Sequence, residues 1–309
     1  MADDKLKTTL QGRIAKGRIP PVGRLMRPVL RGKYAREIAE LDPEHDYERI
    51  GFLLTCYEFP WDIERALEFA LFRTYAVPSI SGRLHRTGEF SRRPRKRYDD
   101  TELLLAEIME NGFDSEPGRA ALQRINAMHG RFPIANRDFI YVLTTFVFEP
   151  IRWIERFGWR PLTADEKQAI FSYYRQLGHR MNITDIPEDL EALEEYNREF
   201  ERKRFRYSET NHQIGGITRD LLLSFYVPRF LISTARPFAH ALMDVPLLEA
   251  MGFPEPPALL RSIMTGALKL RGRLLRWLPP RRRPHLITEV RRPTYPEGYK
   301  IEALGTFTK

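Results

Sequence analysis

The sequence predicts an all-α protein, on three observations. Through most of the 309 residues, apolar side chains recur at spacings of three and four, the period of a helix face. Helix punctuation separates these runs: prolines or capping residues at the starts (Pro60, Pro78, Thr163, Pro187) and glycines at the ends (Gly88, Gly130, Gly178). No stretch alternates convincingly as a strand, and no hairpin signal joins two such stretches.

Taken in order, residues 1–33 form a basic arm interrupted by Pro20, Pro21 and Pro28. Helices are predicted from about Tyr34 to Leu41, and from Asp46 through Ile50, Leu53 and Leu54. Pro60 opens WDIERALEFALFRTY, apolar almost all round and therefore buried. Pro78 opens a short helix that ends at Gly88. Residues 91–98, SRRPRKRY, read as a basic loop, after which Asp99 or Asp100 begins TELLLAEIME. A helix ending at Gly130 follows, with that glycine suited to the left-handed position. Asn136 then caps a helix that stops near Pro150. Thr163 and Glu166 make a capping box for a helix to Gly178. Pro187 opens a charged helix to about Phe205. Further helices span about Asn211–Tyr226, Pro237–Met251 and Pro257–Leu278. Residues 279–309 form an irregular, basic, proline-rich tail packed on the domain. The expected organisation is thus an arm (1–33), one helical domain (34–278) and a tail (279–309), packed by globin-like logic without globin sequence.

Composition bounds the function. A hydrophobic fraction of 42% supports a proper core, and no low-complexity linker or internal repeat divides it. No run of about 20 apolar residues exists to span a membrane, and the N-terminus lacks a signal-peptide stretch, so export is not expected. The single Cys56 forbids an internal disulfide and fits a reducing cytoplasm. The net charge of +9 is concentrated at the two ends, whereas the stretch holding Glu188, Glu191, Glu194, Glu195 and Glu199 is acidic. A basic chain meets nucleic acid, an anionic membrane or an acidic ligand, or simply solvates its surface.

The chemistry centres on residues 124–146. Leu122, Ile125 and His129 share one helix face, which places an imidazole on an apolar stripe. One reading is a core histidine with hydrogen-bonded ring nitrogens; the other is an axial metal ligand. Zinc fits poorly, because one cysteine rules out thiolate clusters and no HExxH or close His pair accompanies His129. A single histidine suffices for haem iron, since porphyrin supplies four nitrogens. In GRLHRTG, Arg83 and Thr87 lie four apart on one face, as a guanidinium–hydroxyl donor pair or as a surface arginine and a capping threonine.

The segments INAMH, PIANRDFIYVL, GWRPLTADEK and RMNITDIP, in that order, resemble the MpaB-type oxygenase family, which includes the rubber oxygenases. The resemblance covers roughly residues 50–250. It implies haem b, with His129 as the proximal iron ligand. It implies Arg83 and Thr87, in RLxxTG, as distal donors to dioxygen, and a glutamate base, Glu68 or alternatively Glu64. Without the resemblance both glutamates read equally as partners of Arg65 or Arg73. Asn126, one turn before His129, would orient the ring or bond nearby backbone. Where some rubber oxygenases carry a lysine able to occupy the sixth iron position, this chain has Arg86, which has no lone pair to give. The activity implied is oxidative cleavage of a C=C bond in an apolar, prenyl-like substrate, with no nucleic-acid partner. The alternative is a non-catalytic helical haem- or lipid-binding protein at a membrane surface.

One motif stands outside that chemistry. In PALLRSIMTGALKLRGRLLRWL, Leu260, Ile263, Ala267, Leu270, Leu274 and Trp277 share a helix face that Arg261, Lys269, Arg273 and Arg276 border or oppose. The face either covers the domain core or lies at an anionic membrane surface.

Overall fold

The computed structural model describes residues 32–305; the N-terminal arm to residue 31 lies outside the described residues. The architecture is all-α, with fourteen α-helices and no strand among the described residues beyond one isolated bridge, Arg292–Tyr295. The helices are α1 (Lys33–Ile38), α2 (Tyr47–Leu53), α3 (Pro60–Tyr75), α4 (Pro78–Thr87), α5 (Glu89–Arg92), α6 (Pro94–Asn111) and α7 (Glu116–His129). They continue as α8 (Asn136–Phe157), α9 (Ala164–Arg180), α10 (Leu190–Arg204), α11 (Glu209–Leu223), α12 (Ile232–His240), α13 (Val245–Met251) and α14 (Ala258–Leu275). A π-helical turn, Leu54–Glu58, continues α2 towards α3.

The centre is α8, packed most extensively on α3 and flanked by α9, α10 and α14. It buries Ile140, Leu143, Val147, Phe148, Ile151, Ile154 and Phe157, an apolar stripe at helical spacing. The helix does not stop at Pro150. That proline is buried inside it, and the residues beyond it (Ile151, Trp153, Ile154, Phe157) pack in the core. Their burial outweighs the roughly 3 kcal/mol that an internal proline costs.

A buried charge cluster ties α3, α8, α10 and the start of α13 together. Arg73 pairs with Glu201 at 2.5 Å, with the N-cap Asp244 at 2.8 Å and with Glu149 at 3.4 Å. Tyr141, fully buried and stacked on Phe200 at 4.4 Å, donates its hydroxyl to the same region.

Four local expectations are corrected. SRRPRKRY is helical: Pro94 occupies the first turn of α6, where its missing N–H costs nothing, and Arg95–Asp99 and Lys96–Asp100 pair at i,i+4. Gly130 caps α7 with φ −61°, a right-handed geometry. Asn136 does not cap α8. Its side chain instead exchanges hydrogen bonds with the backbone of Thr184, 2.8 Å and 3.1 Å long. The stretch Pro237–Met251 is broken into α12 and α13, because Asp244 caps a new start. The capping box of Thr163 and Glu166 forms with both of its hydrogen bonds.

Candidate active site

An apolar cleft opens between α3, α6, α9 and the C-terminal tail, with a cavity of about 100 Å³. From α3 come Ile63, Glu64, Leu67, Glu68 and Leu71, recurring at three and four along one face. From α6 come Tyr98, Thr101, Glu102 and Leu105, with Phe146 of α8 and Tyr174 and Leu177 of α9 behind them. His285 and Ile287 of the tail complete the wall.

Two carboxylates share one guanidinium here. Arg65 bonds Glu64 and lies 2.8 Å from Glu68. Both glutamates thus lie in the cleft, and both pair with Arg65 rather than Arg73. Glu68 is the more deeply buried. Burial pushes its carboxyl up to about 8; Arg65 opposes that shift and the Glu64 charge adds to it. The Tyr98 hydroxyl lies 3.1 Å from Glu102 and 3.4 Å from Glu68, one proton serving two carboxylates. Burial also raises Glu102, against its ion pair with Arg292 at 2.5 Å.

His129 ends α7, its ring edge-on to Phe139 at 5.3 Å. Its Nδ1 is buried and has no hydrogen-bond partner. Burial, then the positive charge of Arg97, lowers the imidazole to about 4, so the ring is neutral at physiological pH. A neutral imidazole with an uncommitted nitrogen is what a metal ligand requires. No group of three His, Cys, Asp or Glu residues among the described residues could hold a metal ion by itself. A metal at His129 would therefore need its other ligands from a cofactor such as a porphyrin; His129 itself does not line the cleft.

The cation beside His129 was not among the expected site residues. Arg97 sits on α6, bonds the Thr101 hydroxyl four residues on, and lies over the Phe90 ring at 5.6 Å. Thr101 lines the cleft, while Arg97 and His129 do not; the Arg97 charge is felt at the His129 ring. The signal was present as a guanidinium and a hydroxyl at i,i+4, but reading residues 91–98 as loop hid it. The expected pair, Arg83 and Thr87 on α4, does not line this cleft. Thr87 donates to the Leu84 carbonyl at 2.7 Å and accepts from the Glu89 N–H at 3.3 Å, which closes the helix end beside Gly88 at φ +70°. Arg83 is half-buried and makes no ion pair among the described residues. His85 and Arg86 are exposed.

Asn126 donates to the Arg180 carbonyl at 2.9 Å, and so bonds backbone across the fold. With the Asn136–Thr184 exchange, it pins the α9–α10 connection to the end of α7 and the start of α8. That connection is sharply bent, with Asn182 and Asp185 at positive φ. Trp159 and Arg160 bind the π-turn through the Glu58 carbonyl at 3.1 Å and the Glu58 carboxylate at 3.0 Å. The segments flanking His129 in sequence pattern are therefore mainly scaffold that positions its helix.

Comparison with known proteins decides the family. Residues 69–277 match the family described as "ER-bound oxygenase mpaB/B'/Rubber oxygenase, catalytic domain". The chain belongs to this family. Among curated relatives, "ER-bound oxygenase mpaB'" of Penicillium brevicompactum is 30% identical over 243 residues, which is 73% of this chain and 57% of that protein. "ER-bound oxygenase mpaB" of Penicillium roqueforti (strain FM164) is 31% identical over 216 residues, 64% of this chain and 72% of that protein. The chain thus spans little more than half of the first relative's length. Among its described residues, no helix is long and apolar enough to cross a membrane. The tail residues His285 and Ile287 that close the cleft lie beyond the matched segment.

Proposed function

We propose that this family member is a haem b-dependent oxygenase that uses dioxygen to cleave a C=C bond in an apolar, prenyl-like substrate. The observation that carries the proposal is the neutral His129, with its buried unpartnered nitrogen and the Arg97 charge felt at its ring. His129 would hold the iron. Haem, when bound, supplies the activation of dioxygen. Arg97 and Thr101 would donate hydrogen bonds where negative charge develops, a role for which a guanidinium and a hydroxyl preorganised on one helix are suited. The apolar wall of Ile63, Leu67, Leu71, Leu105 and Phe146 would exclude water and orient the substrate chain. Glu68 would accept a proton from the allylic carbon at a carboxylate oxygen. Its raised pKa makes it a base poised near neutral pH.

An apolar substrate partitions into lipid, so on this reading the enzyme works peripherally at a membrane surface. The test is oxygen uptake by the purified haem-loaded protein with a polyprenyl substrate, alongside carbonyl detection in the product. Uptake with carbonyl formation supports the proposal. Haem binding without uptake assigns the protein as a carrier instead.

A further inference from the structure

We propose that the solvent-facing side of α14 is a docking surface for an anionic lipid bilayer. The proposal rests on the membrane-surface reading above and deepens it by naming the face and the lipid charge.

The helix packs with Leu268 against Trp153 and Phe157, Gly272 against the backbone of Phe157 and Gly158, and Leu275 against the main core. Arg271 is fixed on the same side by Asp62 at 2.9 Å and by the Trp61 ring at 3.7 Å. The core contacts therefore come from one side. The opposite side should be polar in a helix that only covers a core. It is instead apolar and uncovered: Ile263 is 55% exposed, Leu270 54%, Leu274 59% and Trp277, just past the helix end, 69%. These positions fall within roughly 40° of one line along the helix, at 100° per residue. Leu259 and Leu278 extend the exposed area at either end. An apolar surface of this extent marks a site of interaction.

Charge selects the occupant. Residues 256–288 contain eight Lys and Arg and no Asp or Glu. Lys269 and Arg273 lie roughly 80–120° round the helix from the apolar line, on its flank. Neither makes an ion pair among the described residues, and Arg281, Arg282 and Arg283 follow, exposed, directly after Trp277 and the Pro279–Pro280 turn. An apolar stripe with a cationic flank and a terminal tryptophan matches the boundary between acyl chains and anionic headgroups. A second copy of the chain fits worse, because a two-fold contact on this face would bring like charges together.

The test is flotation of the full chain with phosphatidylcholine–phosphatidylserine vesicles and with phosphatidylcholine alone. The wild type is expected to float with the mixed vesicles at low salt. Recovery should fall at least tenfold on the neutral vesicles or at high salt. The variant Ile263→Glu/Leu270→Glu/Leu274→Glu changes only solvent-facing positions, so its melting curve and haem content should match the wild type while flotation falls at least tenfold. Flotation of that variant at the wild-type level places binding in another segment and overturns the proposal. Equal wild-type recovery on neutral and anionic vesicles does the same. A wild type that stays with the unbound fraction and sediments as a dimer, which the variant converts to monomer, assigns the face to a second copy. Haem content is measured on the same samples. Lost flotation with haem retained therefore counts against docking alone, and intact flotation without haem counts against the haem reading alone.

Discussion

Glu68→Gln removes a charge and keeps the shape, and the structure fixes the sign of its effect with pH. Arg65 is one cation facing two carboxylates, Glu64 and Glu68, and the deeper one is driven up from its ordinary 4.5 to about 8. A carboxyl whose folded value is raised binds more protons folded than unfolded at any pH between the two. Its contribution is fully present below about 4.5 and is lost as pH rises through about 8. At about 1.4 kcal/mol for each pH unit in that window, the ceiling is about 5 kcal/mol; solvent penetration and relaxation reduce it to roughly 2–4 kcal/mol. Glutamine does not titrate. The stability of Glu68→Gln relative to wild type should therefore climb between pH 5 and pH 8 and level off above. Urea unfolding of both proteins at several pH values across that range measures it, with or without haem. Parallel pH profiles would mean that Arg65 holds Glu68 ionised throughout, and the argument for a carboxyl poised near neutrality would fail. The same variant should lose oxygen uptake, and the wild-type rate should rise with pH towards about 8, because only the ionised carboxylate can accept a proton.

Other substitutions separate the remaining roles. Arg97→Ala should keep haem and lose roughly 10²-fold in oxygen uptake, as expected for one preorganised donor, whereas Arg83→Ala should stay within a few-fold of wild type. The opposite pattern in steady-state rates would return the donor role to α4. Arg73→Met leaves the buried Glu201 without its cation and Glu149 with Arg152 alone, at 3.3 Å, and should cost about 3–5 kcal/mol, seen in thermal denaturation as a fall of roughly 10 °C. An unchanged melting temperature would show that the cluster is solvated rather than buried.

Most of the helical architecture was legible because burial and periodicity agree. The stripe of α8, the nearly all-round apolar α3 and the Thr163–Glu166 capping box are local patterns with local causes. Misreadings arose where a tertiary contact overrides a local signal. Pro150 ends no helix because the turns beyond it are core, and Asn136 is drawn from a cap to Thr184 on a distant loop. Residues 91–98 read as loop because five cations crowd the segment, yet their partners Asp99 and Asp100 lie one turn ahead on the same helix. That misreading hid Arg97, whose charge is felt at the histidine, and its partner Thr101. Of the residues singled out in the sequence, Glu64 and Glu68 fall in the cleft, whereas His129, Arg83 and Thr87 do not line it. The sharing of Arg65 between Glu64 and Glu68 was not legible, since sequence does not say which of several nearby arginines reaches a carboxylate. Nor was the role of the tail. Ile287 and Thr288 donate to Glu110, Arg292 pairs with Glu102, and Tyr299 donates to Glu107, so the segment is strapped along the acidic edge of α6 and closes the cleft.

The measurement that bears most directly on the central claim is the haem stoichiometry of the purified protein beside that of His129→Ala, by absorption spectrum and haem extraction. The account predicts a Soret band and about one haem per chain in the wild type. It predicts loss of haem, or a strongly altered band, in His129→Ala with the helical fold intact by circular dichroism. An unchanged spectrum and full haem content in His129→Ala would contradict it.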